Sequence, residues 1–346
     1  MKIICAFQKL SLGILSALCF LLSTAEASPM YTVTDLGTLG GSNSFAFSIN
    51  NSGQVVGFAN ILGNTSRHAF LYSNGVMVDL GTLGGSNSVA TGINENGQIV
   101  GYASTAGNAA VHAFIYAGGG MTDLGTLGGK NSVAYGINDD GQVVGFSYLT
   151  GTTNRHAFLY SDFTMSDLGT LGGNSVASAI NNAGQVVGYS YLLSSPYRHA
   201  FLYSRGQLTD LGTLGGNESE ANAINNRKQI VGTSDNTGNT TFHAFTYSKG
   251  NLSDLGTLGG TDSGAIGLND KGQIVGYSTA LNDPSSRPVI WDNGQIQEVN
   301  SLITPPGSWI ISDVRAINSS GQIAATGCSG FTGKCGALIL NPIDDK

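Results

Sequence analysis

The heptapeptide DLGTLGG begins at Asp35, Asp79, Asp123, Asp167, Asp210 and Asp254, at intervals of 44, 44, 44, 43 and 44 residues. A fixed period of this size marks one supersecondary unit copied end to end, each copy burying the apolar face of its neighbour. Residues present in every copy answer to the architecture first. Chemistry is therefore to be sought where the copies differ.

The copy from Ser86 to Asp123 shows the plan of the unit. Ser88-Val89-Ala90-Thr91-Gly92-Ile93 is a short run of small and β-branched residues, followed by the turn Asn94-Glu95-Asn96-Gly97. Asn and Gly tolerate the positive φ that tight hairpins require. Gln98-Ile99-Val100-Gly101-Tyr102-Ala103 reads as a second strand, and His112-Ala113-Phe114-Ile115-Tyr116, with its period-two alternation, as a third. A Gly118-Gly119-Gly120 turn leads to a fourth strand at Met121-Thr122-Asp123-Leu124. Four strands on short turns make an antiparallel meander, and no segment carries a helical period. The copies span about 42–79, 86–123, 130–167, 174–210, 217–254 and 261–298, with a degenerate seventh at 312–340 that keeps the spacing of Ser312, Ile317-Asn318 and Gln322.

The seventh copy ends without a fourth strand, whereas Tyr31-Thr32-Val33-Thr34-Asp35-Leu36 is a fourth strand with no first three before it. If the N-terminal strand (31–36) completes the last sheet, two exposed sheet edges disappear at once. The expected fold is all-β: a single seven-bladed β-propeller domain over 28–346, closed by its N-terminal strand. An open β-solenoid, normally polar-capped at both ends, or a pair of smaller rings are the alternatives. In the propeller the first strand of each blade lines the axis, and the residue before each Ile-Asn or equivalent pair lies where blades converge and side chains compete for space. It is Ser48, Gly92, Gly136, Ala179, Ala223, Gly267 or Ala316, small in every copy. The GTLGG segment becomes the crossover between blades, its glycines supplying positive φ and close approach.

The N-terminus stands outside the repeat. Lys2 and Lys9 precede an apolar run from Leu10 to Leu22, and Ala25-Glu26-Ala27 offers an A-x-A cleavage site. The pattern is that of a secretory signal peptide over 1–27, cleaved near Ala27, which implies a secreted product, extracellular or periplasmic. No other segment approaches the ~20 apolar residues a membrane span needs. Cys5 and Cys19 would leave with the peptide, and Cys328 and Cys335, close in sequence in an exported chain, are expected to form a disulfide. A net charge of −7 argues against a nucleic-acid binder, which would need a basic stripe. A monomer without cofactors is expected.

All five histidines, His68, His112, His156, His199 and His243, share one register at the start of a third strand. On separate blades they cannot converge within the ~2 Å that one metal ion requires, so no metal site is expected. A structural histidine, bonding to a turn or to the neighbouring blade, is the better reading. The repeated aspartates are expected to accept backbone N–H bonds in the crossovers.

The His-Ala-Phe triplets at 68–70, 112–114, 156–158, 199–201 and 243–245, with DLGTLGG, Ile-Asn and Gly-Gln-(Val/Ile)-Val-Gly at fixed spacing, resemble the bacterial "extracellular repeat, HAF family". The resemblance covers about residues 31–298 strongly and implies export from a bacterium. It implies no reaction and no catalytic set.

The loop between second and third strands keeps its length but varies in content, and it shares a face with the crossovers. Tyr148, Tyr191 and Tyr197, with Arg155 and Arg198, form an aromatic group there suited to a sugar or peptide. The plainer reading is ordinary exposed loop residues. Glu218, Glu220 and Asp262 bring three carboxylates towards one side of the channel mouth, where paired acids could cleave a glycoside. The stretch 299–311, with Pro305, Pro306 and Trp309, either plugs a channel rim or packs across the ring closure. Three functions follow in order of support. The first is an exported, non-enzymatic binding or adhesion module for a glycan, peptide or cell-surface component. The second is a carboxylate-dependent glycoside hydrolase or lyase, and the third a structural envelope or matrix protein.

Overall fold

The computed structural model describes residues 30–343; the signal peptide expected over 1–27 lies outside them. Blade 1 consists of strands Gly40–Ile49, Val55–Ile61, Arg67–Ser73 and Val76–Asp79, and five further blades repeat this order. Blade 7 supplies Trp309–Ile317, Ile323–Ser329 and Cys335–Pro342, and its fourth strand is Tyr31–Asp35 from the other end of the chain. That strand runs antiparallel to the third, with Tyr31 opposite Pro342 and Asp35 opposite Leu338. The fold is a seven-bladed β-propeller. The N-terminal strand closes it, as the orphan fourth strand requires.

The hydrophobic core is divided among the interfaces between blades. Val56, Ala69 and Leu80 of blade 1 pack with Ala90, Ile93, Ile99 and Phe114 of blade 2, and equivalent clusters occupy the other interfaces. The interface of blades 7 and 1 joins Ala324, Ala337 and Ile339 to Ala46, Ile49 and Phe70. This explains the Ala-Phe of each HAF triplet. Neighbouring residues of a strand point to opposite faces, so Ala69 meets the following blade while Phe70 meets the preceding one.

Polar groups close the same ring. The Nδ2 atoms of Asn50, Asn94, Asn138, Asn181, Asn225, Asn269 and Asn318 each donate to the backbone carbonyl of the next asparagine, at 2.8–3.1 Å, and Asn318 returns to Asn50. Asn138 also donates to Gln142 Oε1 and accepts from Gln142 N. Because the Asn138 amide is buried, Asn138→Ala leaves Gln142 N and Oε1 without the partner they share and the Asn181 carbonyl with Gly184 N alone. We expect a loss of about 2 kcal/mol in denaturant unfolding. A loss below about 0.5 kcal/mol would show the ring of amides to be dispensable.

Two expectations need correction. The final glycines of DLGTLGG are not wholly loop: first strands begin at Gly40, Gly84 and their equivalents, about four residues earlier than the sequence pattern suggests. A Cβ on Gly41 would lie 2.5 Å from the carbonyl oxygen of Asn60, so close strand approach selects glycine there. The histidines, moreover, bond neither to a turn nor to the next blade. Each Nδ1 meets the DLGTLGG aspartate of its own blade, as in His112–Asp123 at 2.8 Å. The aspartates do accept crossover backbone bonds, Gly125 N donating to Asp123 Oδ1 at 2.7 Å.

The 299–311 stretch packs across the closure. Val299, Leu302 and Ile303 are buried with Tyr31, and Thr304 N donates to the Tyr31 carbonyl at 2.9 Å. Cys328 and Cys335 face each other across the second and third strands of blade 7 and form a disulfide.

Candidate ligand-binding site

First strands line the axis, giving the channel two mouths of different character. At the turn-face mouth a cavity of about 510 Å³ is bounded by first-strand ends and the turns that follow them, from all seven blades. Its polar groups are already engaged. Asn51 N donates to Glu95, Glu95 N to Asp139, and Asp139 N to Asn182. Partial burial, and then the nearby Asp139 and Asp270, raise the Glu95 pKa, opposed by the bond from Asn51.

The crossover-face mouth is different. Every first strand there carries a β-bulge, because the register slips by one residue, as between Ala134 and Gly136. The slip sends both Ala134 and Ile137 into the same interblade core and leaves the extra residue, Tyr135, facing the channel. Bulges commonly re-aim a side chain in this way. The seven extra residues are Phe47, Thr91, Tyr135, Ser178, Asn222, Ile266 and Arg315, and all line one cavity of about 670 Å³. No two are alike. Tyr102, Tyr189 and Tyr277, from second strands, complete an aromatic wall.

Arginines from third strands stack on second-strand rings. Arg155 Cζ lies 5.0 Å from the Phe146 centroid, and Arg198 Cζ 4.8 Å from that of Tyr189. Arg155 Nη2 also donates to Tyr189 Oη at 3.2 Å. Burial raises the Tyr189 pKa against the opposing pull of the two guanidiniums, so the hydroxyl stays protonated. Tyr135 and Phe146 meet at 6.0 Å between centroids, and Tyr189 and Tyr191 at 6.4 Å.

The sequence-predicted residues divide here. Tyr148 meets Phe146 edge-on at 6.0 Å, so Tyr148, Arg155, Tyr191 and Arg198 gather along blades 3 and 4. Tyr197 stands exposed on its loop and lines neither mouth. Glu218 and Glu220 converge on Arg198, with Nε–Oε2 3.9 Å and Nη2–Oε2 3.2 Å respectively. Burial works against the charge on Arg198, but Glu220 and Glu218 outweigh it and raise its pKa. Asp262 is drawn aside: its Oδ1 accepts from Phe242 N, as Asn131 accepts from Val111 N in another blade.

Phe146, Tyr189, Tyr102 and Tyr277 do not stand out in the sequence, because an aromatic follows the glycine of Val-Gly in five copies, and the bulge register is not visible from alternation alone. The available signal was the diversity of the residue two before each Ile-Asn or equivalent pair.

Blade 4 departs from the others at its entrance. The crossover at 170–174 is one residue short, and Thr170 lacks the bond that Thr126 Oγ1 makes to the Gly129 carbonyl. Beside it lies a hollow of about 590 Å³ lined by Asn154, His156, Asn174, Tyr191 and Ser195, among others. Tyr191 links this hollow to the wall of the mouth through Tyr189.

No family model matches the chain, and no curated protein does. Among solved structures, the β-propeller domain of the Trilobed protease from Pyrococcus furiosus is similar, at 9% identity and a TM-score of 0.56, over 91% of this chain and 98% of that one. A puromycin-hydrolysing peptidase from Mycobacterium tuberculosis shows 11% identity and a TM-score of 0.55, over 90% of this chain and 56% of that one. TolB from Acinetobacter baumannii shows 16% identity and a TM-score of 0.46, over 71% and 64%. The chain thus spans less than two thirds of the last two proteins. At such identities the likeness speaks for the fold alone. The Pyrococcus domain is described as having an open velcro topology, whereas here the N-terminal strand is zipped onto blade 7.

Proposed function

We propose that this protein is an exported, non-enzymatic binding module that takes a glycan at the crossover-face mouth of its channel. The observation that carries the reading is the bulge register: seven blades built on one plan present seven different side chains to one cavity. A symmetric scaffold with one asymmetric ring supports selection for recognition rather than for folding. Tyrosine faces stack on the C–H faces of sugar rings, while their hydroxyls and Asn222 offer hydrogen bonds. Export is supported by the disulfide and by the signal-like residues 1–27; among the described residues no helix is long and apolar enough to cross a membrane.

The hydrolase reading has less support. Arg198 pairs with both Glu218 and Glu220, so the two acids face one cation rather than the two sides of a scissile glycosidic bond. Glycan-array screening of the mature protein tests the choice. Binding should fall at least tenfold in Tyr135→Ala and in Tyr189→Ala. Turnover of any polysaccharide, abolished by Glu220→Gln, would replace this reading with the hydrolase.

A further inference from the structure

We infer that the glycan is acidic, and that Arg155 receives a uronate carboxylate as the sugar chain passes from the channel mouth to the hollow on blade 4. The inference rests on the binding reading above and adds the charge of the ligand and its path. Four guanidiniums stack on aromatic rings around this face, those of Arg67, Arg155, Arg198 and Arg315. Arg198 is neutralised by Glu218 and Glu220, and Arg315 by Asp313. Arg155 has no carboxylate within ion-pair distance among the described residues, in a chain whose net charge is −7. It is nevertheless half-buried and held from two sides, by the Phe146 ring and the Tyr189 hydroxyl. A planar guanidinium fixed in this way, with most of its N–H donors unspent, matches the two oxygens of a carboxylate. Arg67 also lacks a carboxylate partner, but it is exposed and no hydroxyl orients it.

The surroundings give the ligand a direction. On the blade 5 side Glu220 lines the mouth, and with Glu218 it outnumbers the single guanidinium of Arg198, so an acidic chain is repelled from that side. The hollow on the other side carries no carboxylate in its lining, which offers Asn154 and Asn174 amides and the Tyr191 ring. Each uronate unit has an apolar ring face for Tyr135 or Tyr191 and an anionic edge for Arg155. A one-residue shortening, found in blade 4 alone among the DLGTLGG crossovers, leaves the space where the next sugar unit would lie.

Calorimetry on the full mature chain tests the inference, using oligogalacturonates and oligoguluronates of two to six units and the same ladders with their carboxylates reduced to alcohols. The expected result is at least tenfold tighter binding of one acidic ladder than of its reduced form, weakening as salt is raised. Arg155→Gln should abolish that preference, and Arg155→Lys should keep part of it. Inserting a serine between Gly173 and Asn174 restores the 44-residue spacing and should remove the gain in affinity beyond two units. Equal binding of acidic and reduced ladders, or a preference that survives Arg155→Gln, overturns the inference. So does failure of both acidic ladders, including the case in which an acidic peptide such as poly-glutamate binds instead. If reduced ladders bind and Tyr135→Ala loses them, the binding reading stands without the acidic ligand.

Discussion

Removal of the Tyr31–Asp35 strand together with Leu36, and everything ahead of them, is expected to destabilise the whole ring rather than fray one blade. The strand forms five registered pairs with Cys335–Pro342, and without it that strand becomes an open edge. Tyr31 is 0% exposed among Val299, Ile303 and Leu340, and Leu36 is 5% exposed at the interface of blades 7 and 1. Losing them weakens two interfaces together, and in a ring each interface supports its neighbours. Tyr31→Ala alone should cost about 3–5 kcal/mol, by analogy with truncation of other buried aromatics. Tyr31→Phe should change stability by no more than about 1 kcal/mol, since the hydroxyl has no hydrogen-bond partner in the protein. The same pair of variants gives a pH signature. Burial, aided by Asp292, pushes the Tyr31 pKa up to about 12. An unfolded tyrosine ionises near pH 10, so the folded state holds a proton that the unfolded state releases. Stability should fall as pH rises from about 10 to 12, and Tyr31→Phe should flatten that slope. Denaturant unfolding checks all three. A strand-deleted chain that unfolds in one transition of unchanged midpoint would show that closure contributes nothing.

How much of this was legible in the sequence follows from what each residue answers to. The period and the unmatched fourth strand at 31–36 dictate a closed ring, because an unpaired edge and an orphan strand have one common remedy. The strand meander was equally readable from alternation and Asn-Gly turns. The histidine partners were not. His112 and Asp123 are eleven residues apart on adjacent strands, and their meeting depends on a register that neither residue reveals alone. The site was half legible. Arg155, Arg198, Glu218 and Glu220 stand out because their blades differ from the rest. Tyr135 and Tyr189 do not, since deciding which way they point requires locating a bulge. Period-two reasoning carried through 130–137 assigns Ala134 and Ile137 to opposite faces, whereas the slip between Ala134 and Gly136 puts them on the same one.

That slip ties fold to function, and Gly145→Ala should break both. Gly145 lies opposite Ala134 in the second strand of blade 3, where the bulge swings the Val133 carbonyl across it. A Cβ there would sit 1.9 Å from the Val133 oxygen and 2.9 Å from Ala134 Cα. Both obstacles are backbone, so no rotamer relieves them and the first strand must retreat. Gly57, Gly101, Gly188, Gly232 and Gly276 meet the same carbonyl in their own blades at 1.9–2.0 Å. Blade 7 is the exception that shows what accommodation takes. It carries Ala325 opposite Val314, and there a second register shift, between Ile311 and Asp313, reroutes the strand just ahead of the bulge. Blade 3 has no shift at that point, its earlier one lying between Gly128 and Ser132. The expected cost of Gly145→Ala is about 3 kcal/mol, at the upper end for overpacking. The retreating strand carries Tyr135, so ligand affinity at the mouth should fall with stability, although Gly145 touches no part of the cavity. Gly276→Ala, in blade 6, is the matched control: a similar loss of stability with a smaller loss of affinity, because the bulge residue it displaces is Ile266 and not an aromatic. Equal affinity losses in the two variants would mean that general loosening, rather than the placement of Tyr135, sets binding at the mouth.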